Sequence, residues 1–315
     1  MANDMIRLIS ASKRDFEHMT PSDLKLSIQK SEGRAIMGQH CLINAMGEGL
    51  VQHVTNSELM FAFGADMVLL NAFDFDDSSM NIGLHGLSYA ELKERCGYRP
   101  IGIYMGCSPY AVASAQDEGR YNPMGMHASP EHVAQAVEWG VDFIVLGGDP
   151  GTGTKLEDII EATRWIKEKY GDKVFVFAGK WEDGVTEKVL GDPTATFDSR
   201  EMVKRLIDAG ADVIDLPCPG TRSGITVSDI RDLVTFTHTY KPGTLAMVFL
   251  NSSVEGADMD TIRQIALLMK QTGADINAIG DGGFTGISMP KNIHQLSVSL
   301  KGEQYTYFRM ASTNR

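Results

Sequence analysis

The 315-residue chain has no apolar run long enough to cross a membrane and no run of basic residues. A membrane span needs about 18 consecutive apolar residues, so we expect no integral membrane protein. The formal net charge of −12 and the pI of about 5.1 disfavour a nucleic-acid partner and an anionic membrane surface. The start of the chain shows no signal-peptide pattern, and these features together predict a cytoplasmic protein.

Cysteine is scarce, and its four copies include no Cys-x-x-Cys pair. This spacing argues against a structural zinc motif and a disulfide framework. Buried free thiols are the simplest interpretation, although Cys41, Cys107 and Cys218 fall near the ends of predicted strands, where a catalytic thiol is the alternative. The chain also lacks a GxxxxGK[ST] motif and a GxGxxG motif after its first strand, so no nucleotide cofactor is indicated.

One short pattern is present four times: glycine, then alanine or valine, then aspartate, then an apolar run. The copies begin at Gly64, Gly140, Gly210 and Gly273, with spacings of 76, 70 and 63 residues. Each copy follows an amphipathic helical pattern, so its glycine is typical of the left-handed residue just past a helix. A spacing of about 70 residues fits two strand-and-helix units, which predicts a further strand inside each interval.

Eight apolar segments match this expectation and alternate with helical patterns. The predicted strands are Arg34–Leu42, Met67–Asn71, Pro100–Cys107, Phe143–Leu146, Lys173–Lys180, Val213–Leu216, Thr244–Asn251 and Ile276–Ile279. This order predicts an α/β fold of the (β/α)8 TIM-barrel type, with a doubly wound open sheet as the alternative. Because no linker interrupts the alternation, we expect one domain with an N-terminal helical extension (1–32), the barrel (33–302) and a C-terminal tail (303–315).

Four aspartates fall at the predicted carboxyl ends of the strands, the face that holds the active site in characterised barrels. They are Asp74, Asp76, Asp149 and Asp281. Carboxylates that lie close together repel one another unless a cation or a shared proton relieves them, so we predict a Mg²⁺ site. Helix capping or turn formation is the alternative for any single aspartate. The aspartates of the fourfold repeat lie at the opposite strand ends and are predicted to be structural.

Three other side chains at strand ends are candidate catalytic residues: His40, Lys180 and Asp215. His40 could act as a general acid or base or as a metal ligand, or it could be a satisfied core residue. Lys180 could form a Schiff base, fix an anion by its charge, or pair with a neighbouring carboxylate as a structural residue.

Three glycine-rich loops follow the fourth, sixth and eighth strands. Unobstructed backbone N–H groups ahead of a helix N-terminus suit such loops to phosphate, and an arginine adds a planar cation. The predicted phosphate-binding residues are Gly151, Thr152, Gly153, Arg222, Ser223, Gly282 and Gly283. Tight turns without a ligand are the alternative.

The repeated turns, the carboxylates after the second strand and the glycine-rich end of the eighth resemble the phosphate-binding TIM barrels, and the chain also looks like uncharacterised bacterial barrels. The segment Asp74-Phe75-Asp76-Asp77 is similar to one in the phosphoenolpyruvate mutase and isocitrate lyase group. That resemblance implies magnesium-dependent chemistry on small α-keto or phosphonate acids. The chain departs from the group in lacking its Asp-x-Asp-x-Gly-Tyr-Gly segment.

These features predict an enzyme that converts a small anionic, phosphorylated metabolite by a lyase or isomerase reaction. The metal would polarise a carbonyl or enolate oxygen, His40 or Lys180 would move the proton, and Arg222 with the last glycine-rich loop would hold the phosphate. A metal-dependent hydrolase, a Schiff-base aldolase using Lys180 and a non-catalytic ligand-binding barrel are the alternatives. Barrels of this size often assemble, so we also expect a homo-oligomer.

Overall fold

The structure is a computed structural model that describes residues 6–43, 49–108, 124–148, 152–182, 184, 187–282 and 285–311. Eight parallel strands form a closed barrel in chain order, and β8 returns to pair with β1. The strands are β1 Ala35–Cys41, β2 Met67–Asn71, β3 Ile101–Gly106, β4 Phe143–Gly147, β5 Val176–Gly179, β6 Val213–Pro217, β7 Leu245–Leu250 and β8 Ile276–Ile279. The prediction of a (β/α)8 TIM barrel is confirmed.

Helices surround the barrel, and a helix follows each strand, as the predicted alternation requires. They are α1 Lys13–Phe16, α2 Pro21–Gln29, α3 Asn56–Ala62, α4 Tyr89–Arg95, α5 Pro130–Glu138, α6 Leu156–Tyr170, α7 Ser199–Asp208, α8 Val227–Tyr240, α9 Met259–Thr272 and α10 Pro290–Ala311. The Thr20 and Ser129 side chains cap α2 and α5 by accepting backbone N–H groups of the first turn. None of the helices in the described ranges is both long and apolar enough to span a membrane.

The last helix extends into the segment that the sequence predicts to be a C-terminal tail, 303–315. The chain passes through Gly302 in a left-handed conformation, with φ of +80°, and residues up to Ala311 are helical again. Glycine adopts this conformation without the steric penalty that a Cβ brings. The extension places Arg309 in the protein interior at the amino end of the barrel.

The four repeat aspartates fasten the amino ends of the strands. Each carboxylate accepts the N–H of a residue at the start of an odd-numbered strand: Asp66 from Ile36, Asp142 from Ile101, Asp212 from Val176 and Asp275 from Ala246. Each aspartate N–H in turn donates to the carbonyl of the same residue. The preceding glycines all have positive φ, as predicted for helix ends.

A basic side chain completes each of these four sites. The helix that precedes the odd-numbered strand around the barrel supplies it: Lys301 of α10, Lys93 of α4, Lys167 of α6 and His238 of α8. The barrel therefore contains one structural unit four times, and its aspartates are structural.

The barrel interior changes from apolar to polar toward the carboxyl ends of the strands. Alternate residues of a strand face the interior, so Met37 and Gln39 of β1 lie on one side, as do Val213 and Asp215 of β6. The apolar core is built from side chains such as Met37 and Phe177. The polar end forms a mouth that is open to the loops after the strands.

Candidate functional site

Seven polar side chains at the carboxyl ends of six strands form what we call the mouth cluster. Its members are Gln39, Asn71, Glu182, Arg222, Asn251, Glu255 and Asp281. Gln39 and Asn71 face the interior at the ends of β1 and β2, whereas the others lie in the segments that follow β5 to β8. Their contacts form two groups, one around Asp281 and one around Asn251.

Two side-chain amides hold the carboxylate of Asp281. Its Oδ2 accepts hydrogen bonds from Gln39 Nε2 at 3.3 Å and from Asn71 Nδ2 at 3.4 Å. Burial raises the pKa of Asp281 to about 6, and the negative charge of Glu255 adds to the rise, while the hydrogen bond from Asn71 opposes it. Near neutral pH, both protonation states of this carboxyl group are accessible.

The second group lies at the ends of β5, β6 and β7. Asn251 Nδ2 donates to Glu182 Oε2 at 2.8 Å, and the Asn251 carbonyl accepts from an Arg222 terminal nitrogen at 3.3 Å. In the described part of the chain, Arg222 Nε has no hydrogen-bond partner and the guanidinium has no carboxylate partner. The Ser252 hydroxyl beside it also lacks a partner there. Arg222 is therefore a cation with hydrogen-bond donors that can bind a ligand.

Glu255 explains two of the glycines after β8. Its Oε2 accepts the N–H of Ser252 at 2.9 Å, and its side chain is buried. A Cβ at Gly280 would lie 3.0 Å from Glu255 Oε1, and one at Gly282 would lie 2.1 Å from its Cγ. Gly282 also has a φ of +20°. These two positions are glycine because Glu255 packs against their backbone, whether or not the loop holds phosphate.

Asp215 lies deeper, inside the barrel wall on β6. It is fully buried, and its register neighbours across the sheet are Gly179 and Met247. Neither of its carboxyl oxygens has a hydrogen-bond partner among the described residues. Burial raises the pKa of Asp215 well above its usual value, which disfavours the charged form of this carboxyl group.

Trp181 forms part of the wall of the mouth. It is 2% exposed and stacks on Phe249, with ring centroids 5.3 Å apart. Its indole Nε1 has no partner within the described ranges. It thus presents an unused donor at the carboxyl end of β5.

Lys180, the residue before it, is directed to the loop after β4. Its Nζ donates to the Thr154 carbonyl at 2.8 Å, and the residue is 1% exposed. The lysine backbone is fixed as well, because its carbonyl accepts the N–H of Leu190. Lys180 is therefore a buried amine at a strand end, as the sequence predicts, and its role stays a prediction.

His40 lies on the outer side of β1, between the barrel wall and α3. Its Nδ1 is 2.8 Å from the Ser57 hydroxyl, and a Cβ at Gly83 would lie 2.7 Å from its Nε2. Burial, with the charge of His85, lowers the pKa of His40 to about 3, so the ring is neutral. Nε2 has no hydrogen-bond partner among the described residues, and the role of His40 stays a prediction.

The predicted metal ligands do not form one group in the described structure. Asp74 Oδ1 accepts the N–H groups of Asp76 and Asp77, which is a turn-forming role, and Asp76 is 3.1 Å from His132 Nε2. Asp281 is held by the amides of the mouth cluster instead. No three His, Cys, Asp or Glu side chains in the described ranges are grouped as metal ligands. Asp149 lies outside those ranges.

The predicted phosphate-binding residues divide in a similar way. Arg222 and Gly282 lie at the mouth, whereas the Thr152 hydroxyl is 2.8 Å from that of Thr154. Gly153 has a φ of +72°, and Ser223 is exposed. Gly151 and Gly283 lie outside the described residues.

Two of the three thiols near the strand ends, those of Cys107 and Cys218, are not activated. Cys107 and Cys218 are buried, and burial raises the pKa of each well above its usual value. A thiol must lose its proton to act as a nucleophile. These two cysteines therefore act as core side chains.

Five members of the mouth cluster are not among the residues predicted from the sequence: Gln39, Asn71, Glu182, Asn251 and Glu255. The first two could have been found from strand alternation, since Gln39 follows Met37 on the inward side of β1 and Asn71 ends β2. Glu255 lies in a short 3₁₀ turn, Val254–Gly256, and no periodic signal indicates that it turns back toward β8.

Comparisons with solved structures give the same fold at low sequence identity. The chain is similar to a Schiff-base-forming fructose-1,6-bisphosphate aldolase, with 13% identity, a TM-score of 0.53, and coverage of 89% of this chain and 100% of that chain. It is also similar to the carboxyl transferase domain of Rhizobium etli pyruvate carboxylase, with 13% identity, a TM-score of 0.53 and coverage of 98% of this chain. The match spans 53% of that structure, about half its length. Both comparisons show the TIM-barrel fold.

Comparisons by sequence identify the family but not an activity. No curated protein matches the chain. One family model, described as a domain of unknown function, DUF7916, matches residues 9–315. The chain therefore belongs to the DUF7916 family.

Proposed function

We propose that the protein is an enzyme of the lyase or isomerase type that moves a proton next to the carbonyl group of a small anionic, phosphorylated metabolite. The observation that carries this proposal is the position of Asp281. Its carboxyl group is held by two amides, Gln39 and Asn71, in the same mouth as Arg222. The Asp281 carboxyl group is suited to proton transfer, and the Arg222 guanidinium is suited to binding an anion.

Arg222 would bind the phosphate. Its guanidinium hydrogen-bonds to the Asn251 carbonyl and keeps Nε without a partner in the described structure. A guanidinium fork matches phosphate oxygens and holds the substrate in one orientation. Ser252, whose hydroxyl is also unused there, lies next along the chain from Asn251 and adds a neutral donor.

Asp281 would take the proton from the carbon next to the carbonyl and return it. The two amides hold the carboxyl group in one orientation, so less orientational entropy is lost when the proton is transferred. A positioned general base contributes roughly a hundredfold to ten-thousandfold in rate. Both lyase and isomerase reactions of carbonyl compounds can begin with this step.

The structural neighbours support carbonyl chemistry in a coarse way. One is named for a Schiff-base aldolase reaction on fructose 1,6-bisphosphate, and the other was solved with 3-bromopyruvate. Both compounds are small, and both contain a carbonyl group. At 13% identity the likeness supports no transfer of residues, so the proposal depends on the mouth cluster itself.

Magnesium enters no step of this proposal. Asp74 holds a turn, Asp76 pairs with His132, and Asp281 is bound by amides, so these three do not provide an oxygen cage for the ion. The magnesium site, including Asp149, stays a prediction from the sequence.

Exchange of substrate protons with solvent tests the proposed step even though the natural substrate is not identified. The protein is incubated with dihydroxyacetone phosphate in D₂O, and loss of the proton signal next to the carbonyl is followed by NMR. We expect exchange above the buffer rate with wild-type protein and at least a hundredfold loss in Asp281→Asn. Arg222→Ala should weaken binding of the same compound.

The matched control is Asp260→Asn, because Asp260 is exposed at the start of α9. Equal exchange by wild type and Asp281→Asn would refute the role of Asp281. Binding of the phosphate compound without any exchange would favour the non-catalytic ligand-binding barrel.

A Schiff-base aldolase is the second candidate, favoured by the buried amine of Lys180 at the end of β5. Borohydride reduction in the presence of dihydroxyacetone phosphate should then add a stable mass to Lys180. An adduct absent from Lys180→Met but present in wild type would favour the aldolase. An unmodified wild-type chain would remove this candidate.

A further inference from the structure

Carboxylates outnumber cations in the described part of the mouth. Glu182, Glu255 and Asp281 are the carboxylates, and Arg222 is the cation of the mouth cluster. Even when the nearby Lys180 is added, the ratio is three to two. A second anionic group on a ligand would therefore meet negative charge rather than a free cation.

Apart from Arg222 Nε, the polar atoms of the mouth without a hydrogen-bond partner in the described structure belong to neutral groups and include both a donor and an acceptor. Gln39 is 4% exposed and Trp181 is 2% exposed, and both lie at inward positions. Gln39 Oε1 is an acceptor and Trp181 Nε1 is a donor, and neither has a hydrogen-bond partner among the described residues. A hydroxyl group can satisfy either of them, because it donates and accepts, whereas a carboxylate can only accept.

The charged and neutral parts of the mouth lie on different strands. Arg222 follows β6 and contacts the end of β7. The amides that hold Asp281 lie at the ends of β1 and β2, beyond β8. A ligand whose anionic end is at Arg222 would therefore place its opposite end among amides and carboxylates.

We infer that the substrate carries a single anionic group, bound at Arg222, and a neutral body of hydroxyl and carbonyl groups, bound at Gln39, Asn71 and Asp281. This inference rests on the proposed function and names its substrate class. It excludes keto acids that have two anionic groups, one of them at the reacting end. The substrates implied by the resemblance to the phosphoenolpyruvate mutase group include such acids, so the inference separates this chain from that group.

Calorimetry with two phosphate monoesters tests the inference. Glycerol 3-phosphate has one anionic group and two hydroxyls, whereas phosphoenolpyruvate has a phosphate and a carboxylate. We expect wild type to bind glycerol 3-phosphate at least about tenfold more tightly, since like charges in a site discriminate against the second compound. Equal or tighter binding of phosphoenolpyruvate would overturn the inference.

Neutral variants of the carboxylates show whether charge is the cause. Glu182→Gln keeps an acceptor for Asn251 and should reduce the difference in affinity between the two ligands severalfold. Asp281→Asn should reduce this difference as well. Glu161→Gln, on the exposed side of α6, is the matched control and should leave the difference unchanged. A difference that persists in both mouth variants would contradict the charge argument.

The exchange experiment separates failure of this inference from failure of the proposed function. Deuterium exchange into dihydroxyacetone phosphate together with equal binding of phosphoenolpyruvate would retain the proposed function and refute the single-anion substrate. If wild type bound neither monoester and catalysed no exchange, both proposals would fall.

Discussion

The two ends of the barrel treat buried carboxylates in opposite ways. At the amino end, each repeat aspartate has a backbone N–H and a basic side chain, as Asp66 has with Lys301 and Arg309. At the carboxyl end, Asp281 has side-chain amides and backbone N–H groups but no basic side chain among the described residues, and Asp215 has no hydrogen-bond partner there. Burial alone therefore does not identify a functional acid in this fold. The presence or absence of a compensating cation separates the two classes.

The difference has a physical consequence for the two ends. A buried carboxylate that has a cation and a backbone N–H has its charge compensated, and removal of either member of the ion pair leaves the other buried without a partner. A carboxyl group without a cation has no counter-charge to favour its ionised form, and burial raises the pKa of Asp281 to about 6. The amino end is thus organised for stability, and the carboxyl end keeps groups that can react.

The largest expected effect comes from breaking the paired end. Asp66→Ala leaves Lys301 and Arg309 buried without their carboxylate, and it frees the N–H of Ile36. We expect the free energy of unfolding to fall by about 3–5 kcal/mol, as for other buried ion pairs that lose one partner. Urea unfolding measures this change. Asp281→Asn is the comparison, and a loss of similar size there would erase the difference between the two ends.

Substitution of Asp215 is expected to change the free energy of unfolding by a smaller amount and in the opposite direction. The carboxyl group of Asp215 has no hydrogen-bond partner in the described structure and lies on the inward side of β6, as the apolar Val213 does. Asp215→Leu removes an unsatisfied polar group from the core, so we expect the free energy of unfolding to rise by about 1–2 kcal/mol. Met247→Leu controls for repacking at the register neighbour. Destabilisation by Asp215→Leu alone would show that the carboxyl group is satisfied by an internal contact.

The smallest effect concerns the one repeat site that uses histidine. The hydrogen bond that His238 Nε2 donates to the Asp275 carboxylate raises the pKa of His238, although burial acts in the opposite direction. The protonated pair should stabilise the fold fully below pH 6.5 and lose this contribution as the pH rises through the higher folded-state pKa. His238 is about one third exposed, so the contribution should stay below about 1 kcal/mol.

Thermal unfolding at pH 5.5 and pH 8.5 measures this contribution. The difference between the two pH values should be smaller in His238→Gln than in wild type. An identical pH dependence in both proteins would show that this site does not titrate with folding.

The sequence predicts the barrel well because its turns are local. The glycines of the repeat end helices, and the apolar runs after them form β2, β4, β6 and β8. Strand ends can also be read locally, which is why Arg222 and Asp281 are found among the candidates. Contacts between distant segments are not encoded in this way. The return of Glu255 to Gly280, and the extension of α10 to place Arg309 on Asp66, depend on tertiary packing.

The same limit explains the candidates that lie elsewhere. His40 and Lys180 are both one residue away from inward positions, so a single step along the strand turns them from the barrel interior toward surrounding loops and helices. Asp74 follows β2 but turns back on the N–H groups of its own loop. Position at a strand end indicates the right face of the barrel but does not fix the direction of a side chain.

Solvent deuterium exchange into dihydroxyacetone phosphate shows most directly whether Asp281, the carboxyl group without a cation in the mouth, is the reactive group. We expect exchange by wild type, at least a hundredfold loss in Asp281→Asn with the free energy of unfolding retained, and normal exchange in Asp260→Asn. Exchange by Asp281→Asn at the wild-type rate would contradict this expectation.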